Sequence, residues 1–129
     1  MMTRSPSPPR LLVVEHDVGI QDLLTAFLTS EGYAVSLAAS PAEAQTLLDK
    51  QCFQLVLTDL FSTGIRDRFH SVELLRASAQ AVPIGVITGW NVEEEEISQH
   101  EVAFLLRKPF DVDDLSASIT ACVKPCCAD

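Results

Sequence analysis

Short apolar runs alternate with amphipathic stretches along the whole chain. Each run is short enough for one buried strand, and polar or turn-forming residues follow each of them. The segments between the runs show the longer period that is typical of helices. The pattern therefore predicts five strands, at residues 11–14, 33–38, 53–60, 83–89 and 102–106.

The first two helices carry clear start and stop signals. Gly32 follows the first apolar stripe and predicts the end of that helix. Ser40 is predicted to cap the second helix, with Pro41 at its first position and Glu43 closing a capping box. The predicted inward-facing residues are Ile20, Leu23, Leu24, Phe27 and Leu28 in the first helix and Ala44, Leu47 and Leu48 in the second.

The second half of the chain is less regular. Residues 61–70 lack a clear period and contain turn residues, which predicts a loop, and Ser71 is predicted to cap the helix that follows. Residues 91–98 predict a weak helix with an acidic first turn, a solvated face in the simplest interpretation. Asp111 or Asp113 is predicted to open the last helix. The predicted inward-facing residues are Val72, Leu75 and Ala79 in the third helix and Val112, Leu115, Ile119 and Cys122 in the last.

Strict alternation of strands and helices predicts a doubly wound α/β fold. Parallel strands need crossover connections, and right-handed crossovers place helices on both faces of the sheet. At 129 residues, the chain has the size of one domain. We predict a disordered arm at residues 1–9, the domain at residues 10–123 and a tail at residues 124–129.

Composition limits the classes of function. Nine basic against 18 acidic residues give a net charge of −9, which disfavours nucleic acid as a partner. The longest apolar runs are far shorter than a membrane span and no signal peptide is evident, so we expect no membrane contact and a cytoplasmic location. The cysteines match no zinc-binding spacing and are expected to be reduced: Cys52, Cys122, Cys126 and Cys127.

Chemistry-bearing side chains follow several of the predicted strands. The carboxyl ends of parallel strands meet at one edge of a sheet, so these side chains are expected to lie close together. Carboxylates can hold a hard divalent cation or act as a nucleophile, while a lysine and a hydroxyl can bind phosphoryl oxygens. The set is typical of phosphoryl transfer and consists of Glu15, His16, Asp17, Asp59, Thr88 and Lys108.

In combination and in order, four motifs resemble the receiver domain of two-component response regulators. The motifs lie at residues 11–17, 55–60, 86–89 and 108–110, and the likeness covers about residues 10–123. It implies a flavodoxin-like fold with strand order 2-1-3-4-5.

The resemblance also implies roles for individual residues. Asp59 matches the aspartate that accepts a phosphoryl group from a phosphohistidine, Thr88 the switch hydroxyl and Lys108 the lysine that contacts the phosphate. Glu15 and His16 occupy the positions of the acidic pair that holds Mg²⁺ together with the acceptor aspartate. The implied partners are a histidine kinase or phosphotransfer protein, and a target protein that binds the face formed by the helix at residues 91–98, the fifth strand and the last helix. A homodimer is a further possibility.

The chain departs from the family pattern at the cation position. His16 replaces an aspartate, and a neutral imidazole is a poor ligand for Mg²⁺, so cation binding is expected to be weak or altered. Asp17 is an alternative ligand if the chain turns its side chain inward, and Glu15 and Asp59 remain as carboxylates.

Two further departures concern the switch. Leu105 stands where the family has Tyr or Phe, and Phe104 is expected to point to the opposite face of the sheet. The loop after Asp59 lacks a Met-Pro turn and is longer than usual. Its side chains are either solvated or available to a phosphoryl group or partner, and they include Arg66, Arg68 and His70.

Three functional hypotheses follow. The chain is a phosphorylatable receiver whose output comes through binding, since little sequence follows the domain; or it is a pseudo-receiver that works as an interaction module without phosphate. The third hypothesis is a small hydrolase with Asp59 as nucleophile, but no second carboxylate follows within two residues to act as a general acid. The sequence is also compatible with a fragment of a longer protein.

Overall fold

The computed structural model describes residues 8–60, 69–78, 81–89 and 102–123. Its five strands form one parallel sheet in the order β2-β1-β3-β4-β5, which confirms the predicted doubly wound topology. The strands are β1 Arg10–Val14, β2 Ala34–Ala38, β3 Leu55–Thr58, β4 Ile84–Thr88 and β5 Phe104–Arg107. The helices are α1 Val18–Ser30, α2 Pro41–Lys50, α3 His70–Ser78 and α4 Val112–Cys122.

Both faces of the sheet are covered, which explains why the strands are almost continuously apolar. Alternate residues of β1 point to opposite faces, so Leu12 and Val14 pack towards α2 and α3 whereas Leu11 and Val13 pack towards α1 and α4. The face that contacts α2 and α3 also includes Ala44, Val56, Val72, Leu75, Ile84 and Val86. The opposite face includes Leu24, Leu28, Leu55, Leu57, Ile87, Leu115 and Ile119.

The predicted ends of α1 and α2 are confirmed with one adjustment. Gly32 follows α1 with a φ of 95°, a conformation that glycine adopts without strain. Ser40 Oγ accepts from the backbone N–H of Glu43 at 3.2 Å. The Glu43 carboxylate accepts from Ala39 N–H at 2.8 Å, one residue before the cap, so the box is wider than predicted.

Two predictions about helices are wrong. Ser71 does not cap α3: the helix begins at His70, and Glu73 N–H donates to the carbonyl of Phe69, which places Ser71 inside the first turn. Leu23 lies at the edge of the α1 stripe and is 46% exposed, because the sheet covers only the side that carries Leu24 and Leu28.

At α4, the two alternatives are resolved in favour of Asp111, whose carboxylate accepts from Asp113 N–H at 2.8 Å. The predicted third strand is shorter than expected, since pairing covers only Leu55–Thr58. In the part of the chain that the structure describes, no helix is long and apolar enough to cross a membrane.

Several predictions fall outside the described residues. They are the greater part of the arm and the whole tail, the loop at residues 61–68, the inward position of Ala79 and the helix at residues 91–98. Cys126 and Cys127 also lie there, whereas Cys52 and Cys122 are free thiols. His70 opens α3, but its side chain is not described.

Candidate phosphoryl-acceptor site

Asp59 lies immediately after β3, at the carboxyl edge of the sheet. Its N–H donates to the carbonyl of Val14 at 3.0 Å, which ties the end of β3 to the end of β1. The side chain is 10% exposed, and its Oδ1 accepts from the N–H of Leu60 at 2.7 Å. The second oxygen, Oδ2, faces Lys108. Asp59 is therefore held in place by its backbone and still reaches the surface.

Glu15 continues β1 and is almost completely buried, with 2% of its side chain exposed. Its N–H donates to the carbonyl of Ala38, the last residue of β2, at 2.9 Å. Both carboxylate oxygens have partners, since Oε2 accepts from Asp17 N–H at 3.1 Å and Oε1 accepts from Lys108 at 3.0 Å. A buried carboxylate requires such partners, and at Glu15 they come from one backbone N–H and one ammonium group.

Lys108 joins the two carboxylates. Its ammonium group lies 3.0 Å from Glu15 Oε1 and 3.0 Å from Asp59 Oδ2. Burial lowers the pKa of Lys108, but hydrogen bonds and charge attraction from Asp59 and Glu15 outweigh burial and raise the pKa above its ordinary value of 10.5. The lysine is therefore a permanent cation beside Asp59 at physiological pH.

Thr88 is the last residue of β4 and is fully buried. Its carbonyl accepts from Lys108 N–H at 2.8 Å, so the end of β4 positions the start of the segment that carries the lysine. The structure thus brings the backbone of Thr88, the ammonium of Lys108 and the carboxylate of Asp59 to neighbouring strand ends of one sheet edge.

His16 and Asp17 differ in what they offer this edge. One ligand atom each from Glu15, His16 and Asp59 lie within 4.8 Å of one another. His16 Nδ1 is 3.7 Å from Glu15 Oε2, and the His16 side chain is 69% exposed. The Asp17 carboxylate instead caps α1 by accepting from Ile20 N–H at 3.1 Å. The sequence left both residues open as ligands, and the geometry favours His16.

The family's cation can be tested against these donors. Carboxylate oxygens of Glu15 and Asp59 fit Mg²⁺, which prefers hard oxygen ligands. The His16 imidazole does not, because nitrogen donors suit transition metals better. The side chains present fit a divalent cation, but only two of the three fit Mg²⁺.

Leu105 and Phe104 lie on opposite faces of β5, as predicted. Leu105 packs on the face covered by α2 and α3, whereas Phe104 packs on the face of α1 and α4. The Phe104 ring lies over Gly85, and a Cβ atom there would come within 2.3 Å of the ring. The Phe104 ring is therefore partly buried and packs against the hydrophobic core on the side of α1 and α4.

Sequence reasoning missed the backbone donors of the site. Leu60 N–H binds Asp59 and Asp17 N–H binds Glu15, but every residue carries such a donor, so no sequence signal distinguishes them. The side-chain amide of Gln21 also donates to the Glu15 carbonyl. The only sequence feature that could have indicated this contact is the position of Gln21 in the first turn of α1. Arg66 and Arg68 lie outside the described residues.

A family model for the response regulator receiver domain matches residues 11–120. The chain belongs to the response regulator receiver family. It is similar to the protein PetR of Rhodobacter capsulatus, with 33% identity over 93% of this chain and 51% of that protein. It is also similar to the response regulator Rre1 of Synechocystis, with 30% identity over 87% of this chain and 50% of that protein. The chain spans about half the length of these curated relatives.

Solved structures support the same fold. The chemotaxis protein CheY4 of Vibrio cholerae superimposes with a TM-score of 0.78 at 22% identity, over 90% of this chain and 99% of that chain. The response regulator TrrA of Thermotoga maritima, solved in complex with Mg²⁺ and a beryllium fluoride, gives a TM-score of 0.77 at 23% identity, over 89% and 99%. At these identities the likeness shows a shared fold.

Proposed function

We propose that this receiver domain accepts a phosphoryl group on Asp59 from a histidine kinase or phosphotransfer protein and then changes its binding surface. The observation that carries the proposal is the position of Asp59, held at the sheet edge with the Lys108 ammonium 3.0 Å from its carboxylate. Family membership supports the role of the aspartate. Receiver domains are generally not enzymes, apart from their own phosphorylation and dephosphorylation.

The transfer balances as a simple displacement. An Asp59 oxygen attacks phosphorus, the new P–O bond forms as the P–N bond to the donor imidazole breaks, and the departing nitrogen keeps the electron pair and takes a proton. Lys108 neutralises the charge on phosphoryl oxygens, because its ammonium already lies beside the attacking carboxylate. The Thr88 hydroxyl is proposed to bind a phosphoryl oxygen of the product.

A divalent cation belongs to the proposal as a bound group. Glu15 and Asp59 are its proposed carboxylate ligands, and Mg²⁺, the family's ion, would supply further positive charge to the phosphoryl oxygens. His16 stands in the same group of donors, and Asp17 is not proposed as a ligand because it caps α1. Because an imidazole takes the place of an oxygen ligand at His16, we expect weak Mg²⁺ binding.

The output is proposed to be a protein contact. We propose that the partner binds the face that includes β5 and α4, close to Lys108 at the carboxyl end of β5. A homodimer is one form that this contact could take. The domain is proposed to be residues 10–123 and to act in the cytoplasm. The third contributor to this face, at residues 91–98, lies outside the described residues.

The test is phosphorylation by acetyl phosphate with a divalent cation, followed by intact mass. The wild-type chain is expected to gain one phosphoryl group, and Asp59→Asn none. A different receiver domain that acetyl phosphate is known to modify, treated under the same conditions, serves as the positive control. An unmodified wild-type chain, with the positive control modified, would count against the proposal.

A pseudo-receiver is the second candidate, and the closed ion cluster favours it. Lys108 contacts both carboxylates, and these ion pairs provide Asp59 and Glu15 with a structural role that does not depend on phosphorylation. In this alternative, Asp59→Asn and Asp59→Ala keep partner binding and cellular function at normal abundance. Loss of function in both variants, with fold and abundance kept, would eliminate it.

A further inference from the structure

The carboxyl end of β1 places an imidazole beside two carboxylates. Donor atoms of Glu15, His16 and Asp59 lie within 4.8 Å of one another, and His16 Nδ1 is 3.7 Å from Glu15 Oε2. Metal bonds of about 2.1 Å separate neighbouring ligand atoms by about 3.0–3.4 Å. The Glu15–His16 pair is therefore a few tenths of an ångström from the separation that one ion requires, and all three donors lie within 4.8 Å, from which a side-chain rotation can bring them together.

The three donors differ in freedom. The Glu15 side chain is buried and hydrogen-bonded at both oxygens, and Asp59 is held by Leu60 N–H. The His16 side chain is 69% exposed, so packing opposes a rotation of the imidazole towards the two carboxylates less than it opposes movement of the buried side chains. Two fixed carboxylates and one adjustable imidazole can adapt to an ion.

Charge also favours a cation. Glu15 and Asp59 contribute two negative charges and Lys108 one positive charge, so this edge keeps an excess negative charge when His16 is neutral. Each carboxylate oxygen has more than one lone pair and can accept from an N–H while it binds a metal.

The chemistry of the donors selects the ion. An imidazole with carboxylates is a mixed nitrogen and oxygen set, which binds first-row transition metals more strongly than Mg²⁺. An all-oxygen set would serve Mg²⁺ best. The one departure in the acidic pair thus replaces an oxygen ligand by the donor that transition metals prefer.

We propose that Glu15, His16 and Asp59 bind a first-row transition-metal dication in preference to Mg²⁺, and that His16 sets this preference. The inference names the ion for the proposed phosphoryl-acceptor site and rests on that proposal only for its biological use. Binding itself requires no phosphoryl donor.

The test measures Co²⁺ and Mg²⁺ affinity by calorimetry on the full chain without phosphodonor. Wild type is compared with His16→Ala, which removes the donor, and His16→Asp, which restores an all-oxygen set. We expect His16→Ala to weaken Co²⁺ binding by at least about tenfold and to leave Mg²⁺ binding nearly unchanged, because loss of a group that merely supports a ligand already costs about 10–100-fold. His16→Asp is expected to strengthen Mg²⁺ binding and to reduce the preference for Co²⁺.

A second readout locates the ion. Paramagnetic Co²⁺ should perturb the ring resonances of His16 at lower metal concentration than those of His70 and His100. Equal Co²⁺ affinity in wild type and His16→Ala would overturn the inference, and so would a cobalt–thiolate absorption band that is unchanged in His16→Ala, since cysteines would then be the ligands.

The two proposals fail separately. If the metal preference holds but acetyl phosphate never modifies Asp59 with either ion, the phosphoryl-acceptor function fails and the metal site stands. If Asp59 is modified but His16→Ala binds Co²⁺ as wild type does, only the metal inference fails.

Discussion

β1 and β3 end side by side at one edge of the sheet, but the two ends are built differently. After β3, the Asp59 carboxylate is 10% exposed and lies 3.0 Å from Lys108. After β1, Glu15 is buried, His16 is exposed and the Asp17 side chain caps α1. The fold therefore fixes the side chain proposed as phosphoryl acceptor, whereas the proposed cation ligands combine a buried carboxylate with an exposed imidazole.

Among the substitutions that test this contrast, removal of the Lys108 ammonium should lower the free energy of unfolding most. Lys108→Met leaves Glu15 and Asp59 close together without a cation, and we expect the free energy of unfolding to fall by about 1–3 kcal/mol. This is less than the loss of a fully buried pair, because the lysine is 22% exposed and partly solvated. Chemical denaturation measures it. Lys108→Arg, which keeps the charge, should recover most of the loss; equal stability of wild type and Lys108→Met would show that the cluster contributes nothing.

Gly85→Ala provides a control of similar size in the body of the sheet. The new Cβ would come within 2.3 Å of the Phe104 ring, and overpacking of this kind costs about 1–3 kcal/mol. Denaturation should show this loss, while phosphorylation at low temperature stays near the wild-type level because the strand ends are unchanged. Phe104→Leu in the same chain should restore stability in part, and a failure to do so would refute the steric explanation.

Deprotonation of Lys108 at alkaline pH should weaken its ion pairs with Glu15 and Asp59 gradually, without a change of sequence. Asp59 and Glu15 raise the pKa of Lys108 above 10.5, so its contribution to stability is complete below about pH 10.5 and is lost as pH rises through the folded-state pKa. Unfolding free energies in the presence of EDTA should fall above this pH more steeply in wild type than in Lys108→Met. Parallel curves for the two proteins would contradict the linkage.

His16→Ala should have the smallest effect on stability. The side chain is 69% exposed, so we expect a change within about 0.5 kcal/mol in metal-free buffer. Denaturation of this variant beside Lys108→Met tests the contrast between the two strand ends directly. A loss for His16→Ala as large as for Lys108→Met would mean that the two ends are equally structural.

The fold was predictable because both faces of a parallel sheet are buried, and this leaves uninterrupted apolar runs in the sequence. The errors arose where local sequence patterns do not determine the first residue of a helix or the width of its buried face. Ser71 is a good cap by type, yet the helix begins at His70, and Leu23 follows the helical period but lies beyond the area that the sheet covers.

The site was predictable to the level of strand ends. Parallel strands bring Glu15, Asp59, Thr88 and Lys108 to one edge, and the structure places them there. The contact of one lysine with both carboxylates was not predictable, because it depends on side-chain conformations fixed by packing. The use of Asp17 as a cap was open for a similar reason, since a strand-end aspartate serves equally well as a cap or a ligand.

The measurement that tests the central claim most directly is an amide NMR titration with beryllofluoride, a phosphoryl mimic, in saturating Mg²⁺. If the ends of β3, β4 and β5 form one phosphoryl-acceptor site, the amide resonances of Asp59, Thr88 and Lys108 should shift together in wild type and stay in place in Asp59→Asn. Unchanged resonances at Thr88 and Lys108 in wild type, or the same shifts in Asp59→Asn, would contradict it.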